Sequence, residues 1–568
     1  MMMKRLFFVF AFVLAAGFTA AGNNVVERIY VSTDREVYVA GEPVFCSLFC
    51  LDVSGTPRYS SLSSVAYLEL SAPGIRSVQA RIALIAGRGS GLIMLPSTLP
   101  TGNYRLYAYT TQNRNEEGTG YLAGSRVLSI YNTQSSDRVK GGVSVVPEDG
   151  FASTPEKGKE PSGSLRLSFK RSAAVNGVLP VILDNSEGKA ASLSVSVFKE
   201  DDISPAEVNG GMASFLRNLP ESGSVSFRGG FTPDSDGEIL YARLSGTDWQ
   251  SIASEAGITA FISSSGAESD IYSSTVSPDG SMVFNTNNIY GHREIVCEVV
   301  GADEGLQGHM VLKSPFIGMD AEPVPPLKLS TALRSSLRER HRALRSYSRM
   351  NLDTLFEFLP VRPNLLLSAG ECKRYHLDDY TRFPTMEELV VEIIPEVRLA
   401  GSKRKDTRYF TILMGDSAGK IWSFRGNVLV LMDGVPMSDQ KRLIDFDAML
   451  ISDVEVYQRP YLLGQRVFNG VINFVTTKNS ITALRFSDKT RVVDFEGASY
   501  PVALTRPVSG AEDLRQTLYW HPQISVEAGE ERRIEVRTPS YPGVFRVVVE
   551  GLDSEGNPVY STSSFEVR

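Results

Sequence analysis

Val428–Lys478 reads VLVLMDGVPMSDQKRLIDFDAMLISDVEVYQRPYLLGQRVFNGVINFVTTK. Three strand-like runs, Val428–Met432, Asp453–Tyr457 and Val471–Thr476, alternate in it with turn or loop chemistry. Asp433-Gly434 ends the first run, and because both residue types accept tight or left-handed backbone, the pair predicts a sharp turn. The mixed polar and apolar segment that follows predicts one or two helical turns before the second strand.

The order of these features resembles the plug domain of TonB-dependent outer-membrane receptors. The resemblance covers about 100 residues, from near Thr385 to Lys478, and combines the Asp-Gly-Val-Pro turn, the Ile-Ser-Asp-Val-Glu-Val strand and the Asn-Gly-Val-Ile-Asn strand. The motif positions that we take from it are Asp433, Gly434, Pro436, Gly464, Gly470 and Asn473. The alternative reading of the same residues is a generic α+β domain with an Asp-Gly turn.

One feature departs from the receptor pattern. A receptor plug is followed by a large membrane β-barrel, which needs many strands of about 10 residues each. The sequence after Lys478 has room for one small β domain only. We therefore expect the plug-like domain to serve a purpose other than plugging a barrel of the same chain.

Bulk properties exclude some functions and favour export. The formal net charge of −7 and pI of about 5.6 argue against a nucleic-acid binder, which would normally carry a basic domain. Met1–Ala21 has the basic start, apolar middle and small-residue end of a secretory signal peptide. We expect an exported mature chain in the periplasm or at the outer membrane, either soluble or peripherally attached.

The four cysteines do not suggest a disulfide framework or a metal site. Cys46 and Cys50 lie in one predicted strand, about 13 Å apart at roughly 3.3 Å per residue, too far for a bridge. No Cys or His set has the spacing of a zinc site. The sequence predicts buried free thiols and no cofactor.

Much of the remaining sequence predicts β-sandwich modules. Asp34–Glu42 has the pattern Asp-Arg-x-x-Tyr-x-x-Gly-Glu, and Leu99–Tyr104 has Leu-Pro-x-Gly-x-Tyr. Both resemble macroglobulin-type β-sandwich domains of α2-macroglobulins and bacterial surface proteins. The Cys-Gly-Glu-Gln thioester of protease-trapping α2-macroglobulins is absent, so covalent capture is not expected.

The predicted fold class is mainly β and multi-domain, with serial Ig-like or macroglobulin-type sandwiches and one α+β plug-like domain. The predicted boundaries are 1–21 for the signal peptide, 23–134 for the first sandwich, 135–163 for a linker, 164–223 for a second sandwich-like module, 224–316 for an Ig-like or carboxypeptidase-regulatory-like module, 317–383 for a helical connector, 384–480 for the plug-like domain and 481–568 for a C-terminal sandwich.

The connector should contain the best helix of the chain, over Leu329–Met350. Leu333, Leu337 and Leu344 form an apolar stripe on it, and six arginines form a basic face. Such a face allows contact with an anionic membrane or partner, whereas the plainer interpretation is a solvated helix packed on a neighbouring domain.

The sharpest enzymatic motif is Gly415-Asp-Ser-Ala-Gly419, a G-x-S-x-G pattern that makes Ser417 a candidate nucleophile. The helix that should follow a nucleophile elbow is missing from the pattern, and no oxyanion loop is found. We therefore favour a turn and predict no catalytic residues.

The best functional prediction is a non-enzymatic envelope protein that binds or scaffolds an outer-membrane barrel, or a secretion or uptake component. The first alternative is a ligand-binding accessory of TonB-dependent nutrient uptake, which a pocket lined by aromatic residues such as Trp422 or Tyr461 would favour. The second is a serine hydrolase that uses Ser417.

Overall fold

The computed structural model describes residues 25–148, 161–200, 203, 205, 209–220, 225–246, 258–265, 270–300, 309–319, 322–347, 356–361, 372–415, 422–464, 466–477, 486, 490–505 and 512–568. The predicted fold class is confirmed, because strands dominate and form many separate sheets. The chain divides into two compact units. Unit 1 takes in Met1–Pro233, Gly318–Leu359 and Pro501–Arg568, and unit 2 takes in Asp234–Ile317 and Pro360–Tyr500.

The first sandwich, in unit 1, lies within the predicted boundaries 23–134. Its strands are β1 (Glu27–Thr33), β2 (Val37–Val39), β3 (Pro43–Asp52), β4 (Arg58–Tyr59), β5 (Val65–Ala72), β6 (Ile75–Ile85), β7 (Arg88–Met94), β8 (Gly102–Tyr109) and β9 (Arg126–Tyr131). They follow the order β1-β3-β7-β6-β5-β8-β9-β2, with β4 paired to β3, around one buried apolar core. Short 3₁₀ helices at Gln112–Asn115 and Gly120–Gly124 precede the last strand.

The remaining elements follow in chain order. Those before the plug-like domain are β10 (Val143–Val145), β11 (Arg166–Ser168), β12 (Ser172–Ala173), β13 (Val178–Asp184), β14 (Ala191–Glu200), α1 (Met212–Arg217), β15 (Ile239–Ser245), β16 (Thr259–Ser264), β17 (Asp270–Thr275), β18 (Ser281–Asn285), β19 (His292–Val300), β20 (His309–Leu312), β21 (Leu327–Leu329), α2 (Arg334–Tyr347) and β22 (Glu357–Phe358).

The elements from the plug-like domain onward are β23 (Lys373–His376), α3 (Met386–Ile393), β24 (Val397–Ala400), β25 (Tyr409–Gly415), β26 (Trp422–Arg425), β27 (Leu429–Met432), β28 (Val435–Pro436), α4 (Gln440–Ile444), β29 (Ile451–Tyr457), β30 (Tyr461–Leu463), β31 (Arg466–Phe468), β32 (Val471–Thr476), β33 (Arg491–Glu496), β34 (Ala498–Ser499), β35 (Val502–Ala503), β36 (Thr517–Val526), β37 (Glu531–Arg537), β38 (Gly543–Asp553) and β39 (Pro558–Val567).

A composite sandwich in unit 1 is built from two distant segments of sequence. One sheet has the order β11-β13-β37 and the other β12-β39-β38-β14-β36, and both face one apolar core. The register places Val181 opposite Ile534 and Val195 opposite Val549. The strands of the predicted second module (164–223) and C-terminal module (481–568) therefore share two sheets instead of forming two domains. Alternation predicts which face of a strand is buried, but it does not name the partner strand, so the sequence pattern could not show this pairing.

Unit 1 also joins the first sandwich to the composite sandwich through buried polar contacts. Thr517 Oγ1 donates to Asp34 Oδ2 at 2.6 Å, and Arg88 Nη2 donates to the Pro522 carbonyl at 2.6 Å. The Phe45 and Trp520 rings lie 5.1 Å apart between their centroids. Strand β3 is buried on both faces for this reason, whereas a strand at the surface of a single sandwich would be buried on one.

Helix α2 begins at Arg334, after the predicted start at Leu329, and packs within unit 1, whereas the predicted end at Met350 lies outside the described residues. Leu333 and Leu344 of the predicted apolar stripe are buried. Arg340, predicted to lie on the basic face, is also buried and donates to the Val37 carbonyl at 3.0 Å. The helix is thus a packed connector, as in the plainer interpretation. The connector predicted at 317–383 is itself divided, because Gly318–Leu359 belong to unit 1 and the residues from Pro360 onward to unit 2.

Unit 2 contains a β module and the α+β region that the sequence analysis likened to a receptor plug; we keep the name plug-like domain for this region only. The module has two sheets, β18-β15-β20 and β17-β16-β19-β33. Strand β33, which the sequence assigned to the C-terminal module, completes the second of these sheets by pairing with β19.

The plug-like domain has a sheet of order β23-β29-β32-β27-β28 and a second sheet of order β24-β25-β26. The predicted helix at its start is α3, where Thr385 caps the N-terminus by accepting a hydrogen bond from Glu388 N at 3.2 Å. Met386, Leu389, Val390 and Ile393 of this helix are buried at helical spacing and join the apolar core of the domain.

The predicted burial of the thiols holds for three of the four cysteines. Cys46, Cys50 and Cys297 are buried free thiols, and Cys372 is a partly buried one. Burial raises the pKa of Cys297 to about 12, so this thiol stays protonated at neutral pH.

Candidate functional site

The Asp-Gly turn of the plug-like motif is built as the sequence predicts. Asp433 and Gly434 both have left-handed backbone, with φ of 48° and 80°. The Asp433 carboxylate accepts hydrogen bonds from Thr476 N and Thr476 Oγ1, both at 2.7 Å. Gly434 N donates to Asn473 Oδ1 at 3.1 Å. These bonds fasten the turn between β27 and β28 to strand β32.

The other motif residues also serve the interior of the domain. Asn473 Nδ2 donates to Glu455 Oε2 at 3.0 Å, and Glu455 forms an ion pair with Arg374. Pro436 is buried in β28. Gly470 has φ of 123°, and a Cβ there would lie 2.7 Å from the Tyr457 carbonyl oxygen.

Gly464 is exposed and has φ of 59°, at the turn between β30 and β31. This positive φ favours glycine, and a Cβ at this position would lie 2.1 Å from Ser273 Oγ, so that hydroxyl would have to rotate away. The structure therefore brings Asp433, Gly434 and Asn473 together in one hydrogen-bonded group that holds the turn to β32. None of the six motif residues presents a side chain to a candidate binding surface.

Neither of two cavities found among the described residues is lined by Trp422 or Tyr461, the aromatic residues of the first alternative function. Ser417 lies outside the described residues. Tyr461 packs against a buried cluster that includes Leu429 and Phe468, and burial raises its pKa. A groove of about 820 Å³ lies between α3 and the segment after α4, but its lining, which includes Glu388, Glu392 and Phe446, contains neither Trp422 nor Tyr461.

Three exposed aromatic residues lie on the outer face of the β24-β25-β26 sheet, which we call the aromatic face. Trp422 is 57% exposed, Phe424 44% and Tyr409 43%. The register places Trp422 opposite Gly415 and Phe424 opposite Leu413, so the two aromatic residues share one side of the sheet. On the other side of β25, Phe410, Ile412 and Met414 are buried in the core of the domain.

The absence of a side chain at Gly415 leaves room for the Trp422 ring. Three ring atoms lie 3.6 to 3.7 Å from the position that a Cβ would occupy at Gly415, so the indole lies against bare backbone. At the other end of the face, the Tyr409 ring comes within 3.2 Å of the equivalent position at Gly426. Two rings of the aromatic face thus lie against the backbone of glycine residues, Gly415 and Gly426.

Positive charge lies near one end of this face. The Arg398 guanidinium lies 5.4 Å from the centroid of the Phe424 ring. Arg404 and Lys405 are exposed on the loop that joins β24 to β25, and Arg425 is exposed on the opposite side of β26, since its register partner is Ile412. The nearby carboxylates are already in ion pairs, because Glu387 binds Lys403 and Arg408, and Asp406 binds Lys441.

A second notable group is the buried carboxyl of Glu298 on β19. Ser438 of the plug-like domain donates its hydroxyl to Glu298 Oε1, while Oε2 has no hydrogen-bond partner among the described residues. A small cavity beside it is lined by residues that include Asp439 and Arg442, which pair with each other at 2.8 Å. Burial, together with the negative charge of Asp439, raises the pKa of Glu298 to about 7.

This carboxyl makes the stability of unit 2 pH-dependent. Because the folded-state pKa of about 7 lies above the ordinary value of 4.5, the stabilising contribution is complete below pH 4.5 and is lost as the pH rises to 7. We expect unit 2 to be more stable at pH 5 than at pH 8, and Glu298→Gln to remove about 2 kcal/mol of that difference. Urea unfolding of both proteins at the two pH values measures it. An equal pH dependence in Glu298→Gln would assign the effect to another group.

Neither a metal site nor a membrane-spanning helix is found in the part of the chain that the structure describes. No group of three His, Cys, Asp or Glu residues there could hold a metal ion. In the same ranges, no helix is both long enough and apolar enough to cross a bilayer.

Comparison with known proteins gives distant structural likenesses only. No family model and no curated protein matches the sequence. Salmonella α2-macroglobulin reacted with methylamine aligns at 10% identity over 97% of this chain and 40% of that one, with a TM-score of 0.24. Escherichia coli α2-macroglobulin activated by porcine elastase aligns at 9% identity over 95% and 44%, with a TM-score of 0.23.

The adhesin InvE of Yersinia pseudotuberculosis aligns at 8% identity over 50% of this chain and 58% of that one, with a TM-score of 0.13. This chain spans less than half the length of either α2-macroglobulin structure. Scores this low carry no conclusion about its fold or its activity.

The aromatic face has a weak signal in the sequence. Trp422 and Phe424 alternate with polar residues in Trp-Ser-Phe-Arg, but their exposure depends on the position of β26 at a sheet edge. Nothing in the sequence indicates that the Glu298 carboxyl is buried, because its burial depends on Ser438, which lies far away in the sequence.

Proposed function

We propose that this chain is a non-enzymatic, exported binding protein of the cell envelope, and that it holds a polypeptide partner on the aromatic face. The observation that carries the proposal is the exposure of Trp422 and Phe424, 57% and 44%, on a strand at a sheet edge. Exposed Trp, Tyr and Arg residues in one patch are the composition of binding hot spots, and soluble proteins rarely leave such patches open without use.

Two further observations support the proposal. The side chains of Asp433 and Asn473 in the plug-like motif form hydrogen bonds with the backbone of the domain. A partner would therefore contact other residues on the surface of the domain. The signal-peptide pattern and the plug-like resemblance favour the periplasm or the outer membrane, with an outer-membrane barrel or a secretion or uptake component as the partner.

The test is crosslinking in intact source cells, followed by purification of the tagged mature chain and mass spectrometry of what is captured. The variant replaces Trp422 and Phe424 by alanine. We expect it to capture at least about tenfold less partner than the natural chain, because losing two hot-spot aromatics removes about 2 kcal/mol or more of binding free energy.

The matched control replaces Val283 and Val311 by alanine. These valines are 44% and 45% exposed on another sheet of unit 2, so the control removes exposed apolar area without touching the aromatic face. Unchanged capture by the control and loss by the aromatic variant support the proposal. Equal capture by all three proteins would overturn it.

A further inference from the structure

We infer that the segment held by the aromatic face is an extended acidic peptide that adds to the sheet as a strand beside β26. This inference rests on the proposed function, because it names the kind of partner that the same face takes. Three observations carry it: a backbone edge that pairs with no other strand among the described residues, an apolar surface at strand spacing and an excess of positive charge.

The backbone edge comes first. Among the described residues β26 pairs with β25 alone, in the order β24-β25-β26, and all four of its residues are exposed. A strand at the end of a sheet directs a row of N–H and C=O groups outward, and such a row is a template for another strand. The main-chain hydrogen bonds would supply affinity without requiring a specific sequence.

The apolar surface fits alternate side chains of such a strand. Trp422 and Phe424 are two residues apart, which places both on the same side of the sheet next to Gly415 and Leu413. An added strand lying beside β26 would set every second side chain over this side. Apolar residues at those positions would cover the exposed rings.

The positive charge near β26 indicates that the partner is negatively charged. Arg425 ends β26 with its side chain on the side away from Trp422 and Phe424, where the intervening side chains of an added strand would lie. The loop with Arg404 and Lys405 is at this same end of the strand, because the Tyr409 ring lies against Gly426. No acidic partner of Arg425, Arg404 or Lys405 is found within the described part of the chain. A surface of this charge favours carboxylates in the partner and disfavours lysine.

The test uses purified full-length mature protein and a synthetic probe. The probe is a short fluorescein-labelled peptide that alternates glutamate with valine or phenylalanine and is blocked at both ends. Fluorescence anisotropy at low salt compares it with the same peptide carrying lysine for glutamate. We expect the acidic peptide to bind at least about tenfold more tightly, and Arg425→Glu to reverse that preference.

A second probe separates strand addition from simple charge attraction. It is the acidic peptide with alternate backbone amides methylated, which keeps every charge but removes donors from one edge. Loss of binding by this probe supports strand addition, whereas unchanged binding overturns it. Arg338→Glu is the control for net charge, because Arg338 is exposed on α2 in unit 1, and it should leave both affinities unchanged.

The outcome also distinguishes this inference from the proposed function. If the natural chain binds neither peptide, but the variant with alanine at Trp422 and Phe424 still loses its cellular partner, the face binds something other than an acidic strand. If the chain forms a dimer that the same variant disrupts, a second copy is the occupant and the inference is overturned.

Discussion

Asp433→Ala should lower the free energy of unfolding of the plug-like domain by about 3 kcal/mol. The carboxylate is buried and accepts two hydrogen bonds from Thr476, so its removal leaves a backbone N–H and a hydroxyl without partners. Alanine also tolerates the φ of 48° less well than aspartate does. Denaturant-dependent hydrogen exchange of the Val471–Thr476 amides measures the change in this domain separately from unit 1.

Asp433→Asn is the matched control. Asparagine accepts left-handed backbone and keeps one acceptor oxygen, so the loss should fall to about 1 kcal/mol. Partner capture by Asp433→Asn should equal that of the natural chain. Full stability of Asp433→Ala together with lost capture would mean that the Asp-Gly turn belongs to a binding surface.

Asp34→Ala should destabilise unit 1 by about 4 kcal/mol, because it breaks a buried charged network. Asp34 accepts hydrogen bonds from Tyr38 at 2.7 Å, from Phe45 N at 3.1 Å and from Thr517 at 2.6 Å. Its carboxylate also lies 3.3 Å from the buried Arg35 guanidinium. Burial raises the pKa of Asp34, and Arg35 opposes that rise.

The readout is hydrogen exchange in β1–β3 and β36, since the network joins the first sandwich to the composite sandwich. Thr517→Val removes one of the hydrogen bonds and keeps the size of the side chain, so it should cost about 1 kcal/mol. Faster exchange in both sandwiches with Asp34→Ala is expected. Unchanged exchange in β36 would show that Asp34 stabilises its own sandwich only.

Local features of the sequence predict local structure well in this chain. The Asp433-Gly434 pair predicted a turn, and both residues have positive φ. The Gly41-Glu42-Pro43 sequence is likewise typical of a turn, and Gly41 has φ of 98° while the Glu42 carboxylate accepts a hydrogen bond from Val39 N at 2.7 Å. In each case the backbone geometry depends on residues within a few positions of one another.

The pairing of strands that lie far apart in the sequence could not be predicted from the sequence, for a physical reason. β14 lies between β36 and β38, more than 300 residues later in the chain, and its own alternation shows only that one face is apolar. The same limit applies to the site. Trp422 could be noticed in the sequence, whereas the free edge of β26, the glycine support beneath its ring and the position of the basic loop follow from the order of strands in the sheet.

The most direct test of the binding proposal is site-specific photo-crosslinking in intact source cells. A photoreactive amino acid replaces Phe424 on the aromatic face in one protein and Val283 on the β18-β15-β20 sheet in another. We predict one discrete crosslinked envelope protein from position 424 and none from position 283. Position 283 is a matched control, because both residues are 44% exposed. Crosslinks of equal yield from both positions, or a partner captured only from position 283, would contradict the assignment of the aromatic face as the binding surface.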